Sequence, residues 1–443
     1  MKVRAVATYR LQFRNGMTFD KAAGIVPYLK RLGISHLYAS PIFTAVTGST
    51  HGYDVTDHNE IDPALGGEEG FERLHAALRQ ARMGLILDIV PNHMAASLEN
   101  RWWRSVVEHG PASPFAGHFD IDWDQRLTLP ILGRDFRDAL AAGELGIEID
   151  HKHGCLALAY FDNFLPLHPP TYRMVAERIG VEELEDLADL AVPAGGHETF
   201  HDAVRSFLAS GEAAHLPEKL KDVSADSAFL ERLHGDQPWR LTFWKDARRH
   251  LSYRRFFEVT GLVGVRVEDD TVFDDVHRLI LSLVRSGKVD GLRVDHVDGL
   301  ACPDSYLRRL RQEAGAGTWI LVEKILAEGE HLPPQWPDCG TTGYELIPAI
   351  ADLLTDTDGL REIGRAYEQF IGRPIDAAAE LRAAKLLILR RNFEGELRAL
   401  AAMAAGIAEG DHSLPGLENA IAEMIVGFDG YRTYGETGEL TPQ

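Results

Sequence analysis

Two rhythms of hydrophobic and polar residues take turns along the first part of the chain. Ala5–Phe13 alternates with a period of two and is rich in β-formers, which predicts a strand. Thr18 then caps a predicted helix running from Phe19 toward Gly33, with Pro27 as a bend inside it. Ser35–Ser40 (SHLYAS) follows as a short strand, and Gly67–Met83 repeats apolar residues at Phe71, Leu74 and Leu78, the spacing of a helix with one buried face. Gly84–Val90 (GLILDIV) is a continuous apolar run, as a parallel strand covered on both faces requires. The succession predicts an α/β fold with right-handed crossovers.

The rhythm breaks at about Ala95. As far as Asp270 the chain mixes aromatics, prolines, a hairpin-like piece (Leu156–Phe161) and polar helices (Glu198–Leu208, Ala225–His234). Alternation resumes with a helix at Thr271–Ser286, a strand at Gly291–His296, a helix at Asp304–Ala314, a strand at Trp319–Ile325 and an apolar piece near Cys339–Leu346. Pro348–Gly427 is nearly all helical in composition, above all Ala377–Gly406, and Gly435–Gln443 is a loose polar tail. The organisation predicted is a (β/α) TIM-type barrel with six of eight strands apparent, a mixed subdomain inserted after the third strand, and a helical C-terminal region. Residues 1–94 form the first part of the barrel, 95–270 the insertion, 271–346 the second part and 347–443 the helical region. In such a barrel the C-terminal strand ends make one rim. The polar clusters fall there: Asp88–His93, Arg293–Asp298 and Glu323-Lys324.

Composition narrows the partners. Acidic residues number 67 against 46 basic ones, a formal charge of −21, so a phosphate backbone is repelled and a neutral sugar is not. The three cysteines are few, odd in number and without metal-like spacing, which fits a reducing compartment and no metal cluster. The N-terminal apolar run is too short for a signal peptide and no stretch is long enough to span a membrane. A soluble, cytoplasmic protein without a cofactor is expected. Gly66-Gly67 opens a helix but lacks phosphate-loop spacing.

Asp295 and Glu323 each sit at or just beyond the end of a buried strand, a costly place for a carboxylate. Two carboxyl groups facing across a sugar suit a retaining displacement, one attacking the anomeric carbon and the other, with raised pKa, donating a proton. Arg293 lies two residues before Asp295 and so on the same face of a strand, where a guanidinium keeps a nucleophile ionised. A structural Arg–Asp ion pair is the alternative. Asp88 through His93 (DIVPNH) offers an imidazole for a sugar hydroxyl, with Asp88 and Asn92 bracing the loop, or else a turn serving its own backbone. In Ser49–Asp54 (STHGYD), with His51, the ring of Tyr53 could stack a pyranose and Asp54 could bind hydroxyls, or the segment is an ordinary polar loop.

These four segments, in this order, resemble the alpha-amylase family. There a loop Tyr–Asp, a strand-end Asp–x–x–x–Asn–His, an Arg–x–Asp and a strand-end Glu recur. The segments TYRLQF (Thr8–Phe13), Gly48–Phe71, DIVPNHM (Asp88–Met94), YRRFFEV (Tyr253–Val259), GLRVDHVDGL (Gly291–Leu300) and YRTY (Tyr431–Tyr434) look like the maltooligosyl trehalose synthase branch. His296 and Asp298 after the Arg–x–Asp point the same way, as do Pro238-Trp239-Arg240 and Trp244-Lys245. The resemblance implies a nucleophile at Asp295, an acid/base at Glu323, and Tyr53, Asp54, His51, Asp88, His93, Arg293, His296 and Asp298 around the reacting glucose. It implies an intramolecular mutase on maltooligosaccharides derived from glycogen or starch, coupled in function to a trehalose-releasing hydrolase. Trp239, Arg240, Trp244 and Tyr253 would build a closed acceptor pocket, unless they are simply core. An α-glucan hydrolase or 4-α-glucanotransferase remains open on the same site, as does a non-catalytic glucan-binding protein.

One family feature is missing. The third carboxylate should follow a His after the seventh strand, but His201-Asp202 precedes Asp295 and Asp411-His412 is reversed. Members of the family are longer, and an open parallel barrel exposes a hydrophobic edge. A second chain, further sequence of a larger protein, or the helical tail is expected to close it. Little or no mutase activity is expected of these residues alone.

Overall fold

The computed structural model describes residues 5–190, 197–337, 339–407, 410 and 412–434. The tail Gly435–Gln443 and Asp411 lie outside the described residues. They divide into two compact units, 1–94 with 265–443, and 95–264.

The first unit is built on a parallel sheet of six strands among the described residues: β1 Thr8–Leu11, β2 His36–Ala39, β3 Gly84–Ile89, β4 Gly291–Val294, β5 Trp319–Val322 and β6 Cys339–Thr341. They neighbour one another in chain order. Sequential parallel order with crossover helices is the winding of a (β/α) barrel. Helices α1 (Phe19–Arg31), α2 (Gly67–Gln80), α3 (Asp270–Arg285) and α4 (Pro303–Ala314) are the crossovers. Thr18 caps α1, its side chain accepting from the Lys21 amide, and α2 buries Phe71, Leu74 and Leu78 as their spacing requires. Every residue of β3 is buried, so its apolar run is covered on both faces. An antiparallel pair, Phe43–Ala45 with Val55–Ile61, lies between β2 and α2 and had no strong signal in the sequence.

Register carries the sheet's meaning for function. Arg293 of β4 lies directly opposite Asp88 of β3 and Leu321 of β5. Neighbouring strands are about 4.8 Å apart, so side chains at matched positions touch.

Beyond β6 the chain is helical: Leu346–Leu354, Thr357–Ile371, Ala377–Asn392, Glu394–Ile407 and Leu414–Val426. The first three bury none of their residues, and Leu353, Phe370 and Ile407 are each more than four-fifths exposed. The first three of these helices therefore leave their apolar faces uncovered. No helix among the described residues is long and apolar enough to cross a membrane.

The second unit holds a three-stranded antiparallel sheet (Asn163–Pro166, Cys155–Tyr160, Leu145–Asp150) and a parallel pair (Leu127–Leu132 with Trp239–Phe243). Helices pack around them, with Trp103, Phe119, Phe200, Phe229 and Trp239 fully buried.

Candidate active site

The strand ends of β3, β4 and β5 deliver three carboxylates to one guanidinium. Arg293 Nη1 donates to Asp88 Oδ1 at 2.8 Å and to Asp295 Oδ1 at 2.6 Å, while Nη2 lies 2.9 Å from Glu323 Oε1. Asp295 and Glu323, distant in sequence, thus share one guanidinium and lie within its span of each other, as a pair acting on one glycosidic bond must. Asp88 is fully buried, and Glu323 is the most exposed of the three, at 24% of its side chain against 9% for Asp295.

Three negative charges against one positive leave an excess of carboxylate in a dry place. Burial pushes Asp295 up to about 8, against the pull of Arg293 and with Asp88 and Glu323 adding to the rise. Asp88 is also raised, by burial first, with Arg293 and Tyr53 opposing. Burial works against Arg293, but Asp88 and Asp295 more than offset it and hold the guanidinium charged. Burial thus outweighs the guanidinium at Asp295, contrary to the expectation that Arg293 keeps this carboxyl ionised and that only the second acid is raised. One guanidinium faces three carboxylates, two of them buried, so Asp295 holds a proton well above the usual carboxylate range.

Neutral donors complete the balance. Tyr53 Oη donates to Asp88 Oδ2 at 2.7 Å and Tyr38 Oη to the same oxygen at 3.1 Å. Burial and the Asp88 charge raise both phenols, so they remain protonated donors. Arg10 donates to the Tyr53 hydroxyl at 3.0 Å. Tyr53 is therefore held by its hydroxyl against Asp88, a tighter role than a freely stacking ring. Tyr38 and Arg10 escaped the sequence reading, although each occupies one of the first two strands and could have been found by asking which polar residues those strands carry toward the rim.

The turn after Asp295 is shaped by backbone. His296 adopts a left-handed conformation (φ 45°), which costs a non-glycine residue about 1–2 kcal/mol, and its amide donates to Glu323 Oε2 at 2.9 Å. Gly299 is obligatory, since a Cβ there would lie 2.1 Å from the His296 ring and 2.6 Å from Asn92 Oδ1. Asp298 pairs with Lys324 at 3.2 Å, and the fully buried Lys324 also reaches Glu330 at 2.7 Å. The Tyr434 hydroxyl donates to Asp298, and Arg432 donates to the carbonyls of Asp298 and Leu300 at 2.8 and 2.7 Å. Asp298 thus serves this brace. Lys324 stands out in the sequence as part of the strand-end pair Glu323-Lys324, but its role does not, because a lysine beside a strand-end acid reads as solvated.

In the Ser49–Asp54 loop, Asp54 accepts from Ser49 at 2.5 Å and lies 3.7 Å from His51 Nδ1, so it braces its own loop. Gly52 there has φ +83°, and a Cβ would meet the Pro41 carbonyl at 2.9 Å. His93 is buried, its Nδ1 3.3 Å from Asn92 Nδ2. Within the second unit Trp239 and Tyr253 are buried, Arg240 hydrogen-bonds Gln125 and Thr128, and Trp244 is 56% exposed. The exposed Trp244 ring carries the Lys245 ammonium 5.4 Å from its centroid and meets the Phe243 ring edge-on.

A family model for the alpha-amylase catalytic domain matches residues 20–126. The chain is 36% identical over its full length to a protein described as a putative maltooligosyl trehalose synthase of Mycobacterium tuberculosis, spanning 52% of that protein. The chain belongs to the alpha-amylase family, in the maltooligosyl trehalose synthase branch. The solved maltooligosyltrehalose synthase of Arthrobacter ramosus superposes with a TM-score of 0.75 at 36% identity, covering 97% of this chain and 48% of that one. A hypothetical maltooligosyl trehalose synthase of Sulfolobus tokodaii gives 0.74 at 31%, with 99% and 50% covered. The chain spans about half the length of the relatives it matches.

Proposed function

We propose that this chain carries the reacting-glucose site of an intramolecular glucosyl mutase, converting the reducing-end α-1,4 linkage of a maltooligosaccharide into an α,α-1,1 linkage. The observation that carries the reading is Arg293 bridging Asp295 and Glu323 at adjoining strand ends, in a chain similar throughout to maltooligosyl trehalose synthases.

Asp295 attacks the anomeric carbon as the bond to the reducing-end glucose oxygen breaks, and Glu323 gives that oxygen its proton. The proton begins in the carboxylate cluster. Glu323, the more exposed of the two acids, lies open to the glycosidic oxygen of a bound glucan, while Asp295 keeps its guanidinium bond. The freed glucose turns in place and attacks the glycosyl-enzyme through its own anomeric hydroxyl. Glu323 takes that proton and Asp295 leaves, so the acids return to their starting state. Water must be kept out between the two steps, or the intermediate is hydrolysed. Asp298, Lys324, Arg432 and Tyr434 act as positioning residues through the turn that offers the His296 amide to Glu323.

The reaction belongs to the cytoplasm, upstream of a hydrolase that releases trehalose from the product. Incubation with maltopentaose tests the assignment. Loss of reducing ends with an α,α-1,1 signal by NMR supports a mutase. A rise in reducing ends supports an α-glucan hydrolase, and redistributed chain lengths with constant reducing ends support a 4-α-glucanotransferase.

A further inference from the structure

The inserted unit contains a second buried acid with its own problem of compensation. Glu108, on the helix Arg101–His109, has a side chain only 3% exposed. His201 Nε2, from the helix His197–Leu208, lies 3.1 Å from Glu108 Oε2, and His109 Nε2 lies 3.5 Å from that same oxygen. All three ligand atoms fall within 4.8 Å of one another. The other carboxylate oxygen, Oε1, is buried and accepts no hydrogen bond. A buried carboxylate with an unsatisfied oxygen is costly unless a cation stands by it.

Two imidazole nitrogens aimed at one oxygen can be read as hydrogen bonds or as a cradle. At 3.5 Å the His109 contact is longer than a hydrogen bond. Tetrahedral zinc with bonds of about 2.0–2.1 Å sets its ligand atoms about 3.3–3.4 Å apart, and the two observed separations straddle that value. Two His and one Glu are also a donor set that zinc accepts, leaving a fourth position for water. We infer that Glu108, His109 and His201 form a binding site for a divalent transition cation, zinc in the first place, tying two helices of the inserted unit together. The sequence gives little hint of it, because two ligands are adjacent on one helix and the third comes from a distant one. His201 heads the His–Asp pair that chain order bars from the family's third-carboxylate role.

The test uses the full 443-residue chain, stripped with chelator and titrated with zinc by calorimetry, with metal analysis and cobalt substitution. Saturable binding of about one zinc per chain is expected, with a rise in Tm and a tetrahedral cobalt spectrum. His201→Ala should weaken binding by more than about tenfold, since changing even an outer partner of a ligand costs about 10–100-fold. Glu108→Gln should do the same, whereas His250→Ala, at an exposed histidine, should not. Circular dichroism of each variant separates lost ligation from lost folding, and His201→Gln serves if His201→Ala unfolds. Absence of saturable binding, or equal binding by folded His201→Ala and the unaltered chain, overturns the site.

Discussion

The two buried acid clusters of this molecule are balanced in different ways, one around Arg293 in the parallel-strand unit and one around Glu108 in the insertion. The first gathers Asp88, Asp295 and Glu323 on a guanidinium that is charged at every accessible pH, and adds two phenol donors. The second sets one carboxylate between two imidazoles and leaves an oxygen without a donor. A permanent cation in short supply yields a cluster that holds a proton and can hand it on, the requirement of acid–base chemistry. A titratable pair with a gap between its donors yields a cradle that a metal ion would complete.

The harshest way to break this contrast is to remove the permanent cation. Arg293→Met should cost about 3–5 kcal/mol in urea unfolding, because three acids are left buried without their partner. A loss below about 1 kcal/mol would mean that the phenols carry the balance instead. Transfer activity should vanish with it.

Asp295→Asn tests the proton excess. The folded value of Asp295, about 8, stands above the ordinary 3.8, so the native state binds the proton more tightly than the unfolded chain. The associated stability is full below about pH 4 and is lost as pH rises toward 8, with a slope of at most about 1.4 kcal/mol per pH unit. The variant should flatten that part of the Tm-versus-pH curve, and an unchanged slope would remove Asp295 as its source.

On the other cluster, His201→Ala in chelated protein should cost less, about 1–2 kcal/mol, since its side chain is 18% exposed and one carboxylate, still beside His109, is left in place of three. A loss matching that of Arg293→Met would erase the distinction drawn between the clusters. Tyr53→Phe is the mildest change, expected at about 1 kcal/mol, because Tyr38 still donates to the same Asp88 oxygen. Thermal unfolding of the single and double Tyr-to-Phe variants would show whether the two hydroxyls substitute for each other.

Much of the parallel-strand unit was legible because its signals are local. The apolar run at Gly84–Ile89, the Thr18 cap and the Phe71/Leu74/Leu78 stripe each state their element within one window. The strand-end acids were legible because a charge closing a buried strand stands out against its neighbours. What escaped depends on register and tertiary packing. That Arg293 faces Asp88 follows from the pairing of β3 with β4, and the burial of Lys324 from acids and rings brought to it by distant segments. The pair Phe43–Ala45 and Val55–Ile61 was missed because its strands are short or polar and its register shifts. The Glu108 cluster is invisible in one dimension for the same reason.

The central claim is that Asp295 is the residue a glucosyl unit is passed to, with Glu323 as its acid. Incubating Glu323→Gln with an α-maltosyl fluoride, whose leaving group needs no acid, and mapping the modified peptide by mass spectrometry tests it most directly, since trapping reads a single turnover even where turnover is slow. The account predicts a maltosyl adduct on the carboxyl of Asp295 and none in Asp295→Asn with Glu323→Gln. An adduct on another carboxyl, or none from a protein that binds maltooligosaccharide, would contradict it.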